Sequence, residues 1–263
     1  MYSISFVNNK GGCGKTTSIF QIAGVLAERH KRVLVIDLDG QCNATSTLLG
    51  NSSMPSKTVL DVLSGSASPD EAIAPALYVA RGCRNLSEHG VFCLAGDSKL
   101  LDSDTFLLVD DEALAALRTY AESFDYVLVD MPPSNSGANR VGFRLTDNVL
   151  IPMTSSDIYA TSGYSKIEAT INAANDDFNP SLRIIGVFFS NYIENPMQSW
   201  VSDSLLASCA NVMLTTKIPH SSAVAISTVN CRPLVVSAAT SKAAEAYRNL
   251  TTEIENVLKV KGA

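Results

Sequence analysis

Asn8-Asn9-Lys10-Gly11-Gly12-Cys13-Gly14-Lys15-Thr16-Thr17 is the stretch of this chain on which the fold turns. Before it runs Ile4-Ser5-Phe6-Val7, a short apolar segment that reads as a strand. After it, Ile19, Ile22, Ala23 and Leu26 recur at i, i+3, i+4 and i+7, one apolar face of a helix. Strand, glycine-rich loop and helix, in that order, form the context in which a phosphate-binding loop works. Glycines let successive N–H groups curl around phosphate oxygens with no Cβ in the way, and the helix N-terminus adds partial positive charge. In such a loop Lys15 reaches the β- and γ-phosphates, the Thr16 hydroxyl ligates Mg²⁺ and Thr17 is placed to hydrogen-bond the α-phosphate.

Further along, Val33-Leu34-Val35-Ile36, Val127-Leu128-Val129, Val149-Leu150-Ile151 and Ile184-Ile185-Gly186-Val187-Phe188-Phe189 are continuous apolar runs. Without alternation of apolar and polar residues they read as strands covered on both faces. Stretches with helical spacing lie between them, so the expected class is α/β, a P-loop NTPase fold with a mainly parallel twisted sheet and helices on both faces. Residues 51–75 read as a loop, one short helix and another loop, and Asp102 to Glu112 as a solvated acidic surface. No repeat or linker interrupts the chain, and one domain over 1–263 is the economical division.

Two strand ends carry acids. Asp37-Leu38-Asp39 closes the second strand, and alternation puts both carboxylates on one side at the edge where open α/β sheets bind ligands. Val127-Leu128-Val129-Asp130 is an apolar strand ending in an acid, a Walker B arrangement in which Asp130 holds Mg²⁺, often through water.

Composition narrows the classes. With 46% apolar and 17% charged residues, the 263-residue chain can fill a large core and is no disordered protein. It has neither an apolar run long enough to cross a bilayer nor a signal-peptide start, and a cytoplasmic protein is expected. Cys13, Cys42, Cys83, Cys93, Cys209 and Cys231 contain no Cys-x-x-Cys pair, which argues against structural zinc and for small apolar fillers. Cys13, near a helix N-terminus, is the one thiol whose pKa that position would lower. The net charge of −6 speaks against nucleic acid until it is divided: residues 1–210 carry −9 and residues 211–263 carry +3.

The loop departs from the standard G-x-x-x-x-G-K-[ST] pattern, with Asn9 where glycine belongs and an added Lys10. With that lysine the sequence resembles the deviant Walker A partition ATPases of the ParA/MinD group, and the likeness runs from residue 3 to about 250. The resemblance implies ATP and Mg²⁺ as cofactors, bound by Lys10, Gly11, Gly12, Cys13, Gly14, Lys15, Thr16 and Thr17. It implies that Lys10 reaches across an ATP-dependent homodimer, that Lys15 also acts in catalysis, and that Asp39 manages the attacking water beside a metal site shared with Thr16 and Asp130. Asn191 and the Pro219 of Ile218-Pro219 match groups near the adenine. The family's Asp-x-Asp-Pro-Gln-Gly-Asn appears here with Gly40 for proline and Cys42 for glycine, which puts the rigidity of that switch in question.

Other relatives of the group need features missing here: cluster-ligating cysteines, a late Cys-x-x-Cys, a C-terminal tyrosine cluster, or a basic amphipathic tail for membranes. The resemblance therefore implies a plasmid or chromosome partition protein with a ParB-like adaptor, non-specific DNA, nucleoid association and no stable membrane association. The family's Ile-Pro-Arg-Asn-Val-Arg reads Ile218-Pro219-His220-Ser221-Ser222-Ala223, so both arginines are replaced; Lys217, Arg232, Lys242, Arg248, Lys259 and Lys261 remain as candidates for a positive surface. The alternatives are a MinD-like membrane or cargo positioner and, from another class, a metabolic ATP-dependent ligase.

Overall fold

The computed structural model describes residues 1–50, 55–78, 90–133, 136–157 and 159–261. The chain enters on β1 (Tyr2–Phe6), passes through the glycine-rich loop into α1 (Lys15–Glu28) and returns as β2 (Arg32–Asp37). Next come α2 (Asn43–Leu49), α3 (Val59–Leu63), α4 (Pro69–Ala72), β3 (Ile73–Pro75) and β4 (Gly90–Leu94). Two 3₁₀ turns, Ser98–Leu101 and Ser103–Leu108, lead to α5 (Asp111–Ala121) and β5 (Tyr126–Asp130). Strands and helices then alternate through α6 (Ser136–Leu145), β6 (Asn148–Thr154), α7 (Ala160–Asp177), β7 (Arg183–Ser190) and α8 (Pro196–Cys209). Three helices finish the chain: α9 (Ser222–Val229), α10 (Leu234–Ser237) and α11 (Lys242–Lys261).

Among the described residues the strands form one seven-stranded sheet in the order β3-β4-β2-β5-β1-β6-β7. Every pairing is parallel except β3 with β4 at one margin. At the other margin Val187 of β7 bonds through its N–H to Val212 O and through its carbonyl to Leu214 N–H, and Phe189 O accepts from Ile218 N–H. The sheet is covered on both faces, because its strands are apolar on both. One cluster joins α1, α2, α10 and α11 to β1 and β2 through Phe20, Leu26, Val35, Leu234, Tyr247 and Leu258. The opposite cluster joins α3, α5, α6, α7 and α8 through Val62, Leu117, Phe143, Ile167 and Leu205.

All five apolar runs singled out in the sequence are strands. Residues 55–78 correct the expectation of a single short helix, since they hold α3, α4 and the antiparallel β3; residues 51–54 lie outside the described set. A signal for α4 was present in Ser68-Pro69-Asp70-Glu71, a capping box with proline at the first turn: Glu71 accepts from both the N–H and the hydroxyl of Ser68. The C-terminal segment is a helix packed on the core through Ala244, Leu250, Ile254 and Leu258. No helix among the described residues is long and apolar enough to cross a membrane. Of the cysteines, Cys13, Cys93 and Cys209 are buried and Cys42 and Cys231 half-buried, all free; Cys83 lies outside the described residues.

Candidate functional site

The register of the central strands brings the motifs together. Phe6 and Asp37 both pair with Asp130, so β1, β5 and β2 end at one level. The glycine-rich loop leaves β1 there and wraps back to α1. Gly12 and Gly14 take left-handed conformations, at φ 73° and 84°. Gly14 has a second reason to lack a side chain, because a Cβ there would lie 3.0 Å from Ser190 Oγ. That hydroxyl donates to Cys13 O at 2.6 Å and so fastens the loop to the end of β7. Asn8 holds the other side: its amide donates to Pro152 O at 2.7 Å and its Oδ1 accepts from Lys10 N–H at 3.0 Å. Ser190 carries no motif and went unread in the sequence, as did the anchoring bonds of Asn8.

Lys15 is buried and its ammonium donates to Asn8 O and Lys10 O, each at 3.2 Å. Lys10 stands at the rim, with its Nζ 2.5 Å from Asp157 Oδ1 and 5.3 Å from the centre of the Tyr159 ring. In this chain, then, the extra lysine is held in cis. Cys13 departs from expectation. Burial pushes its thiol pKa up, outweighing the lowering effect of Lys15 and the backbone N–H groups, so the helix N-terminus does not make a reactive thiolate of it.

Below the loop the Thr16 hydroxyl donates to Asp130 Oδ2 at 2.5 Å. The second oxygen of Asp130 is buried without a hydrogen-bond partner. Burial, then the negative charge of Asp37, push the Asp130 carboxyl well above the usual range, against the Thr16 bond and the Lys15 charge. An orphaned buried carboxylate oxygen beside a threonine hydroxyl is a hard-oxygen donor set of the kind Mg²⁺ takes, so these residues fit that ion.

The two acids of β2 and its following turn have separate surroundings. Asp37 is fully buried and turned toward α2, accepting from Asp39 N–H, Thr45 N–H and Thr45 Oγ1 at 3.1, 2.9 and 2.7 Å. Burial still raises its pKa in the face of these three bonds. Asp39 lies nearer the surface, with Oδ1 accepting from Gln41 N–H at 2.9 Å. Asp37, rather than Asp39, thus serves the start of α2. Of the two departures in this turn, Gly40 has a cause in the packing and Cys42 has none. A Cβ on Gly40 would sit 2.5 Å from Leu101 N, which excludes proline. Cys42 adopts φ 52°, the left-handed form for which glycine is the ordinary choice. Of the switch after Asp130, Ser134 and Asn135 lie outside the described residues.

Beside the loop a cavity of about 260 Å³ opens between Gly12, Gly14 and Thr17 on one side and Asn191, Pro219 and α9 on the other. The structure therefore brings Asn191 and Pro219 to the phosphate loop. Asn191 has φ 56°, and its Oδ1 lies 2.7 Å from His220 Nδ1. Of the candidate basic residues, Lys217 is exposed with its ammonium 4.3 Å from the centre of the Tyr192 ring, and Arg232, Lys242 and Lys259 are exposed. Arg248 is committed inside the molecule: it donates to both oxygens of Glu28 at 2.8 Å and to Ala239 O at 2.7 Å. The side chain of Lys261 lies outside the described residues.

Known proteins are similar to this chain in sequence or in fold. The AAA domain family matches residues 1–184. The chromosome-partitioning ATPase Soj of Thermus thermophilus is 30% identical over 253 residues, which cover 95% of this chain and 94% of that protein. Among solved structures, cobyrinic acid a,c-diamide synthase of Mycobacterium smegmatis, with bound ATP analogue and magnesium, has a TM-score of 0.77 at 25% identity, covering 96% of this chain and 93% of that one. The cell division ATPase MinD of Pyrococcus furiosus is alike in fold, with a TM-score of 0.77 at 24% identity and coverage of 97% and 99%.

Proposed function

This chain belongs to the AAA domain family as an ATPase of the ParA/MinD type, and from that premise we propose that it is a partition switch whose two copies close on ATP, hold DNA without sequence preference and let go when an adaptor triggers hydrolysis. The observation that carries the nucleotide reading is the orphaned Asp130 oxygen beside Thr16 at the start of α1. Lys15 and the N–H groups of Gly11 to Thr16 would hold the phosphates, and Thr16 and Asp130 the Mg²⁺, with Asp39 at its margin. Asn191, Pro219 and the α9 wall would take the base, and Thr17 the α-phosphate. Mg²⁺ bound there supplies charge neutralisation on the phosphate oxygens. Asp39 would orient the attacking water. Lys10, once it leaves Asp157, would reach the partner's nucleotide and stabilise the charge that develops on transfer, as an arginine finger does.

The Soj relative, matched over almost its whole length, favours partition over other work. DNA contact would fall to Lys217, Arg232, Lys242 and Lys259, which remain exposed on the C-terminal fifth. Gel filtration with a non-hydrolysable ATP analogue and Mg²⁺, with and without random-sequence DNA, tests the reading. A shift to the dimer and co-elution with DNA are expected; a monomer that retains no DNA overturns it. The likeness to a diamide synthase supports a second reading, an ATP-dependent ligase, for which turnover would require a small acceptor and be indifferent to DNA and adaptor. Sedimentation with liposomes and ATP separates the third, a membrane positioner.

A further inference from the structure

Gln21 is an uncharged amide sealed in the interior, 1% exposed, on a helix face where apolar residues are the rule. It shares a stripe of α1 with Thr17, four residues before, and Gly24, three residues after. Thr17 lines the cavity beside the loop. Gln21 Oε1 accepts from Leu234 N–H at 2.8 Å, which turns its Nε2 to donate to Ser227 Oγ at 2.7 Å. Ser227, fully buried, donates its own hydroxyl hydrogen bond to Val224 O at 2.7 Å. Gly24 completes the contact: a Cβ there would lie 2.6 Å from Pro233 Cβ, so only glycine lets α10 approach this closely.

The element so held is α9, which supplies Val224, Ala225 and Thr228 to the cavity wall. Burial alone secures it poorly. Ile226, its largest apolar side chain, and Val229 point outward, 57% and 82% exposed, while only Ala223 and Val224 are tucked partly against the core. A short helix with little apolar anchorage depends on directional bonds for its position, and a buried amide that loses its partner keeps its desolvation cost with nothing to offset it.

We infer that Gln21 is a positioning residue for the nucleotide base: through Ser227 it holds α9 against α1, so that the grip on the base depends on it while the grip on the phosphates does not. This rests on the nucleotide reading of the cavity. The discriminating probes are ATP and inorganic tripolyphosphate, each with Mg²⁺, bound at equilibrium to the full chain. In the wild type ATP binds more tightly than tripolyphosphate by the contribution of the base. Gln21→Met and Ser227→Ala should each weaken ATP by about tenfold and leave tripolyphosphate within about twofold. Ser227→Ala is the milder change and decides the matter if Gln21→Met fails to fold. ATP affinity unchanged in folded Ser227→Ala, or both probes weakened equally, overturns the positioning role. A wild type that binds neither probe instead overturns the nucleotide reading itself.

Discussion

At Lys15 a buried ammonium donates to two carbonyl oxygens of its own loop, so a cation is already paired with the cradle before any anion enters. Replacing it with an uncharged amide of similar length removes the charge and keeps the volume. Lys15→Gln should lower ATP affinity by at least about tenfold and turnover with it, as read by equilibrium binding and phosphate release. Asp39 is different: its carboxylate makes one bond to the backbone N–H of Gln41, and its loss leaves the phosphate cradle intact. Asp39→Ala should therefore retain ATP and accumulate an ATP-locked dimer on gel filtration; unchanged turnover would remove Asp39 from its role with the water. Cys42 gives a test of backbone rather than chemistry, because it holds the left-handed conformation. Cys42→Gly should leave stability unchanged or raise it by up to about 1 kcal/mol, and Cys42→Val should lower it by about 1 kcal/mol or more, in urea unfolding. Lys15 and Thr16 stood out in the sequence because they share one short loop spacing, and Asp130, 114 positions from Thr16, because an apolar strand ending in an acid marks it. Ser190 was not, since it acts on Cys13, 177 positions away, and a lone serine at a strand end carries no sign of that contact.

Among the elements, the 3₁₀ segment from Ser98 to Leu108 bears on the turn that carries Asp39 and on the start of α6. Leu101 N would meet a Cβ on Gly40 at 2.5 Å, and Phe106 Cβ would meet one on Gly137 at 2.6 Å. The contact at Gly40 involves backbone, which cannot rotate aside. Gly40→Ala should therefore shift the turn that carries Asp39 and lower turnover severalfold, with ATP affinity less affected; equal loss of both would place the damage in the phosphate loop instead. The sequence predicted five of the strands from apolar runs, since strands covered on both faces leave a strong continuous signal. It missed β3 and β4. β3 has three residues, too few for a pattern, and β4 begins on Gly90 and was not separated from its surroundings. The site's acids illustrate the same limit: alternation paired Asp37 with Asp39, but the fold gave Asp37 to α2 through Thr45.

For the whole molecule, the net charge of −6 conceals a division that tertiary pairing sharpens. In α11, Glu253 is taken by the N–H groups of Thr215 and Thr216, Glu255 by Arg29, and Arg248 by Glu28. Of the candidate basic residues with described side chains, Lys217, Arg232, Lys242 and Lys259 are exposed. Should all four engage, the logarithm of the DNA binding constant should fall against that of salt concentration with a slope of about −4 per chain. A slope near zero would move DNA contact elsewhere. The margins of the sheet bear on how copies can meet at all. At one side stands β3, antiparallel, three residues long and ended by Pro75, which has no N–H to offer. At the other, Val187 and Phe189 of β7 are already bonded to the 212–218 segment. Among the described residues, neither margin presents a free row of donors and acceptors long enough to template another strand. Among the described residues, edge-to-edge stacking thus finds no template, and a second copy that met this one would do so through loops and side chains, contacts that a bound ligand can make and unmake.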